Sequence, residues 1–118
     1  MALPADQLEE LKILFPKLAV AEEGGMTFVE IKNLILPQGC SPKQVTALLC
    51  PMSRDGYCSR LFLSEKISHK GRGQNWNPAG GTVILGQSWF AVSWKTSAGQ
   101  TLTRMVLDHL DAFRPCKH

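Results

Sequence analysis

Apolar positions recur along this chain with two different periods. Near the N-terminus, "LPADQLEELKILF" puts Leu8, Leu11, Leu14 and Phe15 on one helical stripe. Pro4 falls where a first helical turn tolerates it, and Pro16 stops the helix. From there the pattern turns extended. Strand-like runs at 18–21 and 26–36 flank residues 22–25, whose glycine pair has hairpin chemistry. Pro37 and Gly39 break the second run. A third run follows at 43–52, then the turn "SRDGY", then a fourth short strand, "SRLFLS". Residues 65–81, rich in Gly, Asn and Pro, read as a long irregular loop, and loops of that length in compact domains are often functional. After it "TVILGQSWFAVSWK" is apolar and β-prone. The helical period then returns, with Leu102, Met105, Val106, Leu110 and Phe113 in register and Ser97 or Thr101 available as the cap.

Helices segregated from an antiparallel meander predict an α+β fold, with residues 1–118 as one domain. Composition changes that picture little: 44% hydrophobic and 19% charged residues are ordinary for a globular domain. No apolar run approaches the roughly 20 residues that span a bilayer. "MALPADQLEELK" lacks the basic-then-apolar pattern of a secretory signal, so the expectation is a cytoplasmic protein with no membrane partner. The net charge of +3 is mild, and apart from "HKGRG" the basic residues are scattered, which argues against nucleic acid as a partner. Cys40, Cys50, Cys58 and Cys116 make no CxxC pair, and no histidine stands at zinc-finger spacing, so neither a metal nor a cofactor is expected. A reduced cytoplasm is the default for such thiols, and buried cysteine acts as a small hydrophobe.

Candidate chemistry is sparse. GxSxG, P-loop and HExxH motifs are absent. Of the histidines, His69 lies in the irregular loop, His109 in the last helix and His118 at the end; His69 could act as acid or base, although a loop histidine without a placed partner is more often simply solvated. Cys58 is the one cysteine in a polar, turn-like setting, yet nothing adjacent in sequence activates it. Trp76, Trp89 and Trp94 cluster within or just after the loop, where aromatics either pin a segment to the core or form a partner-binding surface. Core anchoring is the stronger reading for Trp89 and Trp94, whereas Trp76 fits both. With Asn77, the three make up the candidate partner-binding set.

The order helix, four-stranded meander, long irregular flap and helix resembles the ubiquitin-conjugating (UBC) fold. "NWNPAGGTVIL" looks like that family's active-site approach, an HPN tripeptide followed by G-x-[IV]-C-L. Asn77 and Pro78 echo the tripeptide, while Gly81, Thr82, Val83 and Leu85 match the second part. Trp94 falls near the family's tryptophan after the catalytic cysteine, and "GQTLTRMVLDHL" resembles the helix that follows. More narrowly, "LPADQLEEL", "AEEGGMTFVEIKNLILPQGCSP", "LLCPMSRDGY" and "LGQSWFAVSW" are similar to the prokaryotic ubiquitin-conjugating-like family E.

The departures carry as much information. Ile84 occupies the cysteine position, and an aliphatic side chain cannot hold a thioester. The HPN asparagine is represented only by Asn75 or Asn77, and Cys58 stands where a proline is usual after Gly56 and Tyr57. The resemblance therefore implies a catalytically silent member. Its expected partners are a ubiquitin-like modifier, a ThiF-type activating enzyme or an active conjugating enzyme, in a bacterial pathway of phage-defence type with a JAB-type peptidase. One alternative is a conjugating enzyme with a relocated nucleophile, Ser88 or Ser93, with His69 as base. An unrelated α+β interaction module is the other.

Overall fold

In the computed structural model, which describes residues 3–113, the first helix is α1 (Ala5–Leu14). Strands β1 (Leu18–Glu23), β2 (Met26–Ile35), β3 (Cys40–Ser41), β4 (Gln44–Cys50), β5 (Arg60–Leu63) and β6 (Ser68–His69) follow. Then come β7 (Thr82–Ile84), β8 (Gln87–Trp89) and α2 (Leu102–Leu110), which tightens into a 3-10 turn at Asp111–Phe113. Cys116 and His118 lie outside the described residues.

The four long strands form one antiparallel sheet in the order β1-β2-β4-β5, as the meander pattern predicts. Gly24 and Gly25 join β1 to β2 with both φ angles positive, at 60° and 78°. That is the two-residue hairpin geometry that glycine adopts without a Cβ penalty. β2 is interrupted once, where its register with β4 shifts between Ile31 and Leu34. Asn33, in the shift, has φ 58° and so takes up the extra residue in a left-handed conformation that asparagine tolerates.

Both faces of this sheet are covered. On one, Leu11 of α1 and Leu102, Val106, Leu110 and Phe113 of the C-terminal segment pack on Val29, Ile31, Ala47, Leu49, Leu61 and Leu63. Thr101 caps α2 by accepting the Arg104 N–H at 3.2 Å, and the Leu102 N–H reaches Gln7 Oε1 of α1 at 3.1 Å. The N-terminal stripe is narrower than the spacing suggests, since Leu11 is buried while Leu14 faces outward. On the other face Phe28, Leu48, Cys50 and Phe62 meet Ile84, Trp89 and Ala91. Double-sided burial explains why β4 and β5 read as near-continuous apolar runs rather than as alternating strands.

The run "TVILGQSWFAVSWK" is where the structure departs most from the pattern. It folds into a hairpin, β7 paired with β8 through Ile84↔Gln87, and then returns to β5 through a Leu63–Phe90 bridge. The "irregular" loop before it also carries order. β6 pairs with β3 through Cys40↔His69 and Ser41↔Ser68. Gly81 is the hinge into the hairpin: its φ is +83°, and a Cβ there would lie 2.6 Å from the Phe90 ring and 2.9 Å from the Trp89 carbonyl.

Candidate functional site

Ile84, which the resemblance sets at the family's cysteine position, lies at the end of β7 and is 1% exposed. Trp89, also 1% exposed, stacks into the same cluster and donates its Nε1–H to the Ile84 carbonyl at 3.1 Å. The hairpin is thus a wedge that seals one face of the sheet. A side chain at 84 points into that seal rather than toward solvent, so its identity is set by packing. Ile84→Cys is expected to destabilise by about 1–2 kcal/mol through lost volume. The new thiol should react with a water-soluble disulfide reagent no faster than buried Cys40 and Cys50 until denaturant is added.

The polar chemistry gathers around the turn before β5 and the start of β5. Arg60 is 1% exposed, which for an arginine demands full pairing. Its Nη1 donates to Asp55 Oδ2 at 2.9 Å, and its Nη2 to the carbonyls of Asn77 at 2.7 Å and Val92 at 3.1 Å. The guanidinium also lies 4.5 Å from the centre of the Tyr57 ring. One planar fork therefore ties the turn at 54–57, the loop before the hairpin and the segment after it to β5.

Beside it, Tyr57 Oη accepts from Asn77 Nδ2 at 3.0 Å and shares a 2.7 Å hydrogen bond with Ser93 Oγ. These bonds from Ser93 and Asn77, helped by the Arg60 charge and opposed by burial, hold the Tyr57 phenol below its ordinary value. Cys58 next door is exposed and free. Cys40 and Cys50 are buried, with thiols facing the Phe113 and Met52 carbonyls, and burial pushes both of them up.

A second buried polar group lies under α2. His109 Nε2 is 2.9 Å from Ser59 Oγ, which in turn is 2.9 Å from Thr96 Oγ1. Burial lowers His109 to about 4, with the Arg60 charge adding to the effect and Asp108 opposing it. Both Ser59 and His109 are enclosed, so this pair is internal bracing rather than an accessible dyad.

The structure sorts the sequence candidates. Ser93 and Asn77 meet at Tyr57. Ser88 stands exposed on β8 opposite Val83. His69 does not serve either serine: its Nε2 hydrogen-bonds the Gln38 carbonyl at 3.1 Å, and the ring packs over Gly39, so the expected serine–histidine pairing is replaced by serine–tyrosine. Trp89 is withdrawn from the partner-binding set by its burial. Trp94 is half-buried and donates to the Asp108 carbonyl at 3.0 Å, bracing α2. Trp76 meets Phe90 edge-on at 6.5 Å and packs against the helix-side core.

Pattern reading assigned no site role to Arg60, nor to Tyr57 beyond its place in the turn before the fourth strand. The available signal was a lone arginine inside an otherwise apolar strand, on the Phe62 side of β5.

Exposed apolar side chains include Val83 and Leu85 on the hairpin itself, and others stand away from it. Ile13 is 80% and Ile35 70% exposed. Leu14, Phe15 and Ile35 wall a groove of about 290 Å³ that Lys17 and Lys32 edge. Among the described residues no three His, Cys, Asp or Glu side chains are gathered to hold a metal, and no helix is long and apolar enough to cross a membrane. The chain matches no protein-family model, and comparison with curated proteins and with solved structures returns no match.

Proposed function

We propose that the chain is a UBC-like protein without a nucleophile at the family's cysteine position. It would act as a non-catalytic binding or adaptor subunit of a bacterial, cytoplasmic ubiquitin-like modification pathway of phage-defence type. The observation that carries this reading is the burial of Ile84 in a hairpin that packs like core. The order of helix, four-stranded meander, intervening segment and helix supports it. The apolar, lysine-edged groove offers surface for a partner: the modifier, a ThiF-type activating enzyme or an active conjugating enzyme. The test is co-elution on size exclusion with the cognate modifier or activating enzyme. A non-covalent complex that survives Ser93→Ala is the expected result. Absence of any complex would favour an unrelated α+β interaction module.

One observation favours a second reading. Ser93 Oγ is 2.7 Å from a phenol whose ionisation the surroundings ease. A hydroxyl there could attack the activated carboxyl of a modifier, forming an oxyester, passing its proton to Tyr57 as phenolate and releasing the carrier thiolate. That reading requires an adduct resistant to thiol reductant, cleaved by hydroxylamine and abolished by Ser93→Ala.

A further inference from the structure

The free edge of the sheet carries a separate message. β1 is an outer strand, and among the described residues no strand lies against its far side. Exposed strand edges template pairing with another chain, and proteins usually blunt them with bulges, prolines or inward charges. β1 has no bulge and no proline between Leu18 and Glu23, and its charges, Lys17, Glu22 and Glu23, stand at its two ends. It pairs with β2 without interruption from Leu18↔Ile31 to Glu23↔Met26, and Val20 at its middle is 52% exposed.

The Lys32 N–H donates to the Lys17 carbonyl at 3.1 Å, which fixes the hydrogen-bonding phase. In an antiparallel ladder bonded positions alternate. Lys17, Ala19, Ala21 and Glu23 therefore face β2, while Leu18, Val20 and Glu22 turn their backbone groups outward.

The edge Lys17-Leu18-Ala19-Val20-Ala21-Glu22-Glu23 is charge-complementary to itself at its ends when reversed, Lys17 meeting Glu23. With Val20 opposite the partner's Val20, Lys17 lies across from the partner's Glu23 on the hairpin face. Leu18 then lies across from the partner's Glu22, and the alanines meet one another. This register places the outward-facing residues in hydrogen-bonded pairs, about six inter-chain backbone bonds in all. A parallel, in-register pairing would instead set lysine on lysine and glutamate on glutamate, which is unfavourable.

We infer that β1 is a homodimerisation edge: two copies join antiparallel about a two-fold axis through Val20, fusing their four-stranded sheets into one. Both hairpin faces then lie on one side and both helix pairs on the other. The inference is independent of the proposed function.

Sedimentation equilibrium over a concentration series tests it. The wild type is expected to dimerise reversibly. Lys17→Glu or Glu23→Lys alone should weaken association by at least about tenfold, because each sets like charges opposite at two symmetric places. Glu23 also accepts the Leu85 N–H at 3.0 Å, so circular dichroism checks that each variant keeps its fold. Mixing the two single variants should restore association as a heterodimer, and the double variant should restore the homodimer. A wild type that stays monomeric up to about 1 mM overturns the inference. So do single variants that associate like wild type, or mixtures that fail to recover.

Discussion

Arg60→Met is expected to lower stability to urea by about 2 kcal/mol. Methionine fills similar space but donates nothing, and it leaves the part-buried Asn77 and Val92 carbonyls without the donor they face. A fully buried acceptor stranded in this way costs about 1–3 kcal/mol, and because both bonds are part-buried, water recovers some of that. Asp55, at 46% side-chain exposure, returns to water and adds little, so the carbonyls dominate. Arg60→Lys is expected to recover only part of the loss, since a point charge can reach Asp55 but cannot span both carbonyls. Because the same fork holds Asn77 and Val92 in place, the Tyr57–Asn77–Ser93 contacts should loosen with it, seen as faster amide exchange at Asn77 and Ser93. A loss below about 1 kcal/mol for Arg60→Met, the size of one ordinary hydrogen bond, would show that Arg60 is not the tie.

The second large effect is acid sensitivity centred on His109. In the unfolded chain this imidazole takes up a proton near 6.5, whereas in the fold burial lowers it to about 4. The unfolded state therefore binds more protons across that interval, and stability rises with pH through it. The contribution is fully present above about 6.5 and is lost as pH falls toward 4, at up to about 1.4 kcal/mol per unit. The total is on the order of 3 kcal/mol. Urea midpoints measured for wild type and His109→Gln between those limits check the sign. Wild type should lose stability steeply on acidification, and the glutamine variant, which can still meet the Ser59 hydroxyl but cannot take up a proton, should lose markedly less. Parallel curves for the two proteins would place the acid-sensitive group elsewhere.

Much of the architecture was legible because local signals agree with one another. A helical stripe ended by Pro16, a glycine pair between two extended runs, and Thr101 ahead of a second helical stripe are each local chemistry, and each falls where the structure has it. The hairpin at 82–89 was not legible, for a physical reason. Its turn is Leu85–Gly86, with Leu85 itself at φ 54°, so the usual Asn-Gly or Asp-Gly marker is missing. Val83 and Leu85 are apolar yet exposed, which erases the alternation that would separate two strands from one buried run. The β3–β6 pairing rests on two residues from each strand, too few to show any period.

At the candidate site the sequence marked Ser93 and Asn77 but gave Ser93 the wrong neighbour. Its actual partner, Tyr57, is 36 positions away, and the two are brought together by short irregular segments held by Arg60 and by isolated backbone bonds such as Ser93 N–H to the Asn75 carbonyl at 2.9 Å. Burial of Ile84 likewise follows from the hairpin folding back over Phe28, Leu48 and Phe62, a tertiary event that leaves no local trace. What the residues at 80–90 did show was the absence of a heteroatom at 84, and the structure adds a packing reason for the side chain that stands there.

On the proposed function this chain carries no modifier covalently. Intact-protein mass spectrometry tests it most directly, after incubation of the purified chain with its cognate modifier, activating enzyme and ATP. The account requires the unmodified mass of the chain throughout, with the activating enzyme shown to be charged in the same tube. A species heavier by one modifier less water, reverting on treatment with hydroxylamine, would contradict it.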